Sequence, residues 1–214
     1  MTVSDVLVLG VLLAFIGVGS YFLGSISSGY LVGRFYRNVD LTRLGSGSTG
    51  ATNTFRNFGP GAGLLVTFSD IVKGAAAVWL ARLLFPGPGE WVPLAEAVAG
   101  VAVVAGHCWP VLHRGGGRGV ATAFGAFLFI ATPAWLGAVL AFILALAITR
   151  IVSVGSLASV AGGVGAYLLL AATGAITPHA ATLAFTVLAG AIIVWRHRPN
   201  IERLMRGTEP RVLS

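Results

Sequence analysis

Between Arg118 and Arg150 the chain runs through 31 residues, 119 to 149, without one Asp, Glu, Lys or Arg. A helix needs about 20 residues, at 1.5 Å each, to cross a hydrocarbon core of roughly 30 Å. Further apolar stretches at 6–31, 61–85, 94–112, 154–173 and 180–196 repeat the pattern. Only 10% of the 214 residues are charged, against roughly 25% in soluble domains, and the mean hydropathy is +0.88. A water-soluble globule is excluded, and the expectation is one all-α integral membrane domain over 1–214.

The block 119–149 is long for one span and short for two, and the distribution of charge decides between them. Arg34, Arg37, Arg43 and Arg56 surround the first loop, Arg114 and Arg118 lie in a later one, Arg150 follows the block, and Arg196, Arg198, Arg203, Arg206 and Arg211 crowd the tail. If the block is a hairpin turning near Pro133, the chain has seven transmembrane helices and all twelve arginines share one face. The positive-inside rule then sets the N-terminus outside and the C-terminus in the cytoplasm. The connections 86–93 and 174–179, without Lys or Arg, fit the outer face. Met1 to Asp5 lacks a basic start, so the first span is expected to be retained and not cleaved. Glycine-rich runs such as 162–166 are expected to pack helices closely.

The polar sequence gathers in four patches on that basic face. Residues 43–59, RLGSGSTGATNTFRNFG, place Ser46, Ser48, Thr49, Thr52 and Asn53 between Arg43 and Arg56. Glycine backbone offers N–H groups to an anion, hydroxyls add donors, and arginine presents a fork suited to phosphate. No G-x-x-x-x-G-K-[ST] occurs and no strand precedes the patch, so neither ATP nor NAD is supported. Residues 106–122, GHCWPVLHRGGGRGVAT, break helix at three consecutive glycines, including Gly116 and Gly117. Arg118 stands there just before a helix beginning near Val120, which makes a second anion cradle. His107 at the membrane edge is expected to be a hydrogen-bonded structural histidine, a catalytic role being the alternative. Ser153 and Ser156 either cap a helix or line the floor of a site. In 195–210, His197 and Asn200 are what a plain basic anchor does not explain.

Asp70 and Lys73 lie within a span, where an isolated charge costs about 2.5 to 3.5 kcal/mol on insertion scales. Three residues apart on one helical face, they are expected to pair. Glu96 is expected at the outer interface. Cys108 is the one cysteine, which excludes disulfides, and it is read as packing.

The order GSI and GYL within 24–33, GSGSTGATNTFRNFG at 45–59, SDIVKG at 69–74, GH with GGRGVAT at 106–122, SVGS at 153–156 and RHRPNIERLMRGTEP at 196–210 resembles the bacterial acyl-phosphate:glycerol-3-phosphate acyltransferases. The resemblance covers the chain nearly end to end. It implies transfer of a fatty acyl group from acyl-phosphate to the sn-1 hydroxyl of glycerol-3-phosphate, giving lysophosphatidic acid and inorganic phosphate in phospholipid synthesis. It implies a multi-pass enzyme of the bacterial inner membrane, its active site on the cytoplasmic face, embedded in lipid and linked functionally to the enzyme that makes acyl-phosphate. It implies no metal, no cofactor and no nucleic acid. Carried over by position, Ser46, Arg56, Arg118, His197 and Asn200 are the expected catalytic residues. Arg43, Gly47, Ser48, Thr52, Asn53, Gly116, Gly117, Ser153 and Ser156 are the expected substrate-binding residues. The chain departs from the family pattern at Ser48 where Asn is usual, Arg118 where Lys is usual, Gly115 where Lys is common and Ser27 where Pro is common.

The chemistry fits what the chain lacks. A mixed carboxylic–phosphoric anhydride carries its own leaving group, so the protein must chiefly orient two phosphates and neutralise them. The proton of the attacking hydroxyl goes to His197 or to the substrate's own phosphate. The spacing of His197 and Glu202 imitates an H-x-x-x-x-D acyltransferase motif by coincidence. Two rivals stand beside this reading: a diverged paralogue that transports or binds an anionic metabolite, and a CDP-alcohol phosphotransferase. The first is disfavoured by the absence of an inverted repeat, and the second by the absence of clustered cytoplasmic acids for a divalent metal.

Overall fold

The computed structural model describes residues 2–212, and among these the regular structure is helical throughout. Ten α-helices follow in order: α1 Val3–Ser25, α2 Ser28–Arg37, α3 Ala51–Phe58, α4 Pro60–Leu84, α5 Val92–Cys108, α6 Val120–Ile130, α7 Thr132–Thr149, α8 Val152–Ala172, α9 Ala180–Arg196 and α10 Arg198–Met205. The outer surface of the bundle is apolar: Phe15, Leu64 and Ile148 are 80%, 68% and 82% exposed. Such faces are unfavourable in water and are what lipid requires.

Five segments are long and apolar enough to cross a membrane: α1 with α2, α4, the turn at Gly89 with α5, α7, and α8. The pair α9 and α10, bent by 58°, makes a sixth. The uncharged block does break as its length requires, at Ala131, with Pro133 in the first turn of α7. Its first half, however, is the 11-residue α6, about 16 Å long and short of a full crossing. By length alone five or six segments qualify as spans; the expected seven require the shorter α6 to cross as well.

Close packing depends on a few glycines at helix crossings. A side chain at Gly24 would collide with the Val103 carbonyl, and one at Gly106 with the Tyr21 carbonyl, so α1 and α5 cross backbone to backbone. The same reciprocal contact joins α4 to α6, Gly74 against Thr122 and Gly125 against Ile71. In 162–166, Gly162 and Gly163 pack against α7 and α6 side chains as expected, whereas Gly165 has open space beside it.

Intramembrane charge is paired. Lys73 Nζ lies 2.8 Å from Asp70 Oδ1, as the spacing predicts. Glu96 is not an interfacial group: it is buried and accepts from Arg82 across the α4–α5 interface. Cys108 is buried in the core.

Candidate active site

The first patch is not a loop throughout. Its second half is α3, which places Thr52, Asn53 and Arg56 on one short helix. Asn53, only 4% exposed, knits the preceding glycine-rich turn to that helix. Its Nδ2 donates to the Ser48 carbonyl at 2.8 Å and the Leu44 carbonyl at 3.0 Å, while its Oδ1 accepts from Ser46 N–H at 3.1 Å and Asn57 Nδ2 at 3.1 Å. The side chain is spent on shaping the loop and has little left for a ligand. Ser48 straps the first patch to the second, its Oγ donating to the Gly116 carbonyl at 3.3 Å.

Among the described residues the N–H groups of Gly115 and Gly116 have no protein acceptor and border the second of the spaces described below, but fewer glycine N–H groups are free than the composition suggests. The N–H groups of Ser46, Gly47, Gly50 and Gly117 are bonded to Asn53, Leu44, Ser48 and His107. Further donors come from helix ends. Helices α3, α6 and α8 begin at Gly50, Gly119 and Ile151 without any side-chain cap. All three open onto one cavity of about 360 Å³, lined at its polar end by Gly50, Thr52, Arg118, Gly119, Ser153, Ser156 and His197. Each uncapped N-terminus leaves N–H groups unpaired and carries roughly half a positive charge. Three of them converging with a guanidinium make this a candidate anion site.

The same cavity continues between α4, α6, α7 and α8 along Phe124, Leu128, Trp135, Val139 and Phe142. Leu128 is eight residues beyond Val120 on α6, so the apolar reach runs about 12 Å from the polar floor. Beside it lies a second chamber of about 430 Å³, walled by Ser46, Gly47, Gly116, Arg196, Arg198 and Arg203. Ser48 and Arg118 line both. The chamber's roof is held by Arg196, whose Nε and Nη2 donate to the carbonyls of Gly117 at 3.1 Å and Gly116 at 3.4 Å.

Most of the expected residues are therefore divided between two adjoining spaces, whereas Asn200 and Gly117 line neither. Arg56 opens on a third, of about 180 Å³, that shares Thr52 and Val152 with the first, and it also reaches the Pro210 carbonyl at 3.4 Å. Arg43 lines none of them: its side chain is 85% exposed and pairs with Asp40 at 3.6 Å. It follows a tight turn that points it to solvent, away from the three spaces.

The tail contributes a residue that the sequence reading gave no role. Glu209 Oε1 accepts from Ser153 Oγ at 2.7 Å and Asn200 Nδ2 at 2.6 Å, and its Oε2 accepts from Arg203 Nε at 2.7 Å. Burial alone would raise its carboxyl, but these donors and the Arg203 charge outweigh it and hold it below the ordinary range. Ser153 is thus an anchor for the tail and not a helix cap, and Ser156 donates to the Val152 carbonyl at 3.0 Å. Asn200 Oδ1 is enclosed and without a partner among the described residues. A basic tail with two acids, Glu202 and Glu209, was the only available signal.

His197 sits where α9 bends into α10, and its Nδ1 lies 2.8 Å from the Ile193 carbonyl. A carbonyl only accepts, so Nδ1 carries the proton and Nε2 is left as an acceptor on the cavity side. Burial pushes the imidazole down to about 4, against the raising effect of that bond. Arg118 is pushed to about 10, also by burial first, and it stays charged at neutral pH.

Residues 14–207 match the glycerol-3-phosphate acyltransferase family. The chain is 45% identical over 193 residues to a protein named glycerol-3-phosphate acyltransferase from Synechococcus sp. (strain CC9902), covering 90% of this chain and 91% of that one. It is 44% identical over 200 residues to the one from Gloeobacter violaceus, covering 92% and 93%. Its structure is similar to crystal structures of PlsY (YgiH), an integral membrane glycerol 3-phosphate acyltransferase, at 33% identity over 93% of this chain and 94% of that one. The TM-score is 0.79 for the glycerol 3-phosphate form and 0.77 for the lysophosphatidic acid form. With polar patches in the expected order, a helical membrane bundle around them and relatives matching over nearly the whole length, the chain belongs to the glycerol-3-phosphate acyltransferase family.

Proposed function

We propose that this chain, acting as one unit, transfers a fatty acyl group from acyl-phosphate to the sn-1 hydroxyl of glycerol-3-phosphate, forming lysophosphatidic acid and inorganic phosphate. The observation that carries the donor is the shape of the first cavity: three uncapped helix ends and Arg118 at one end, an apolar reach at the other. An amphiphile with a small anionic head fits that space. Glycerol-3-phosphate, wholly water-soluble, is assigned to the arginine-walled chamber, with Ser48 and Arg118 between the two substrates.

In this arrangement the sn-1 oxygen attacks the acyl carbonyl, the carbonyl–phosphate bond breaks, and the departing phosphate leaves onto Arg118 and the helix ends. Their fixed positive charge acts where negative charge accumulates. The proton of the hydroxyl is taken by a phosphate oxygen, whose second pKa lies near 6. His197, whose imidazole burial holds down to about 4, is a weaker base than that phosphate, and its Nε2 is left to accept from the substrate's other hydroxyl. The anhydride supplies the leaving group, so no metal or cofactor is required by this scheme.

The orientation follows from the twelve arginines on one face: with the segments α1–α2, α4, α5, α6, α7, α8 and α9 each taken as passing through the bilayer, the N-terminus is outside and the site faces the cytoplasm of a bacterial inner membrane. There it meets acyl-phosphate delivered by the enzyme that makes it. A donor panel tests the reading: purified protein in lipid is given glycerol-3-phosphate with palmitoyl-phosphate, palmitoyl-CoA or a palmitoyl carrier protein, and the product's acyl position is determined by mass spectrometry. Acylation from palmitoyl-phosphate alone, at sn-1, is expected. Preference for a thioester donor would refute the assignment.

A further inference from the structure

His107 is used nowhere in that scheme. Only 6% exposed, it stands in the last turn of α5 and lines the first cavity. Its Nδ1 lies 2.9 Å from Lys73 Nζ. Lys73 has its other donors on the Asp70 carboxylate at 2.8 Å and the Ile26 carbonyl at 3.0 Å, and Ser28 Oγ donates to the same Asp70 oxygen at 2.9 Å. An ammonium has no acceptor, so Nδ1 must accept from it. The ring is then neutral with its proton on Nε2, and the second Asp70 contact, at 3.6 Å, is too long to alter that.

That Nε2–H has no protein acceptor among the described residues, and it is not one of the enclosed unpaired atoms. It therefore opens to the cavity. Its place is marked by Gly117: a Cβ there would overlap His107 Nε2. The donor is thus presented beside the Gly117–Arg118 edge of the anion site, and it belongs to the cavity with the apolar reach and not to the arginine-walled chamber.

We propose that His107 is a further catalytic residue of the acyl-phosphate site, its Nε2–H donating to a phosphoryl oxygen of the donor substrate, with Lys73 as the positioning residue that fixes the tautomer. The proposal rests on the acyl-phosphate reading above. A buried charge of either sign at this point would be costly, and a neutral donor with a fixed proton avoids that cost.

The test has two arms. In the first, 15N-histidine-labelled protein in nanodiscs is titrated with palmitoyl-phosphate, the His107 signals being identified by their loss in His107→Gln. An unprotonated Nδ1, and an Nε2–H resonance that moves on titration, are expected. A protonated Nδ1, or an Nε2–H that does not respond, would overturn the proposal. In the second arm, His107→Leu is expected to raise KM for palmitoyl-phosphate about 10- to 150-fold, the range of one hydrogen bond to a charged group, with KM for glycerol-3-phosphate unchanged. His107→Gln, which restores an N–H near the Nε2 position, is expected to recover most of the loss. Equal effects on both substrates, or no rescue by Gln, would mean that the ring only supports the fold. A wild-type chain without turnover would sink the acyl-transfer reading instead, and the titration would still decide His107.

Discussion

Replacing Glu209 by Gln is the sharpest perturbation of the tail. One carboxylate here serves three donors: Asn200 at 2.6 Å, Ser153 at 2.7 Å and Arg203 at 2.7 Å. Gln keeps the shape but has a single oxygen. With that oxygen left on Asn200 and Ser153, its amide N–H groups face the Arg203 donor. The change removes one charge-assisted bond, worth about 1.5 to 3 kcal/mol, and reduces two others to the strength of neutral bonds. Arg203 is 36% exposed and regains water, which places the total near the low end for a broken buried pair, about 3 kcal/mol. Asn200 and Ser153 lie on different helices, so the lost tether loosens α10 from α8 and with it the His197 bend. The assay pairs thermal unfolding in detergent with turnover at fixed lipid. Earlier unfolding and a fall of about 100-fold in kcat/KM are expected. An unfolding midpoint and turnover equal to wild type would refute the assignment of Glu209 as the tail's anchor.

Arg118→Lys keeps the charge, but the burial that lowers the guanidinium from 12.5 to about 10 would bring an ammonium from about 10.4 toward roughly 8. The variant is expected to be active at pH 7 and to acquire an alkaline limb in kcat/KM near pH 8 that wild type lacks. His197, held at about 4 in the folded chain against 6.5, binds more protons unfolded than folded between those values. Stability is therefore complete above pH 6.5 and falls by up to about 3 kcal/mol as pH drops toward 4; His197→Gln should flatten that slope in unfolding midpoints measured across the range. Leu128→Trp fills the deep end of the apolar reach, and the ratio of turnover with palmitoyl-phosphate to that with lauroyl-phosphate is expected to drop several-fold. Gly74→Leu drives a side chain into the Thr122 carbonyl at the α4–α6 crossing; loss of folded protein in gel filtration is expected, whereas Gly165→Leu, with open space, should be tolerated.

Local pattern made much of this legible. The apolar stretches marked α4, α5, α8 and α9 to within a few residues, although the first, 6–31, runs across the break between α1 and α2. The excessive length of 119–149 required the break that occurs at Ala131. The spacing of Asp70 and Lys73 was enough to pair them because three residues on a helix is a neighbouring position. What escaped depended on distant packing. Helix α3 is poor in strong helix formers and is held by Asn53, whose partners lie in the preceding turn. Glu209 meets Ser153 from 56 residues away, and Lys73 meets His107 from 34. Arg43 and Arg56 look equivalent as guanidinium groups flanking one patch. The tight turn at Leu41–Arg43 sends the first to solvent, while α3 carries the second to a cavity wall.

The central claim is that two anions are brought together around Arg118. Phosphate release from purified protein in lipid, with palmitoyl-phosphate and glycerol-3-phosphate supplied together and then singly, tests it most directly. Release is expected only with both substrates, one phosphate per lysophosphatidic acid formed, and collapse in Arg118→Met. Release from palmitoyl-phosphate alone at the same rate, or full activity in Arg118→Met, would contradict the account.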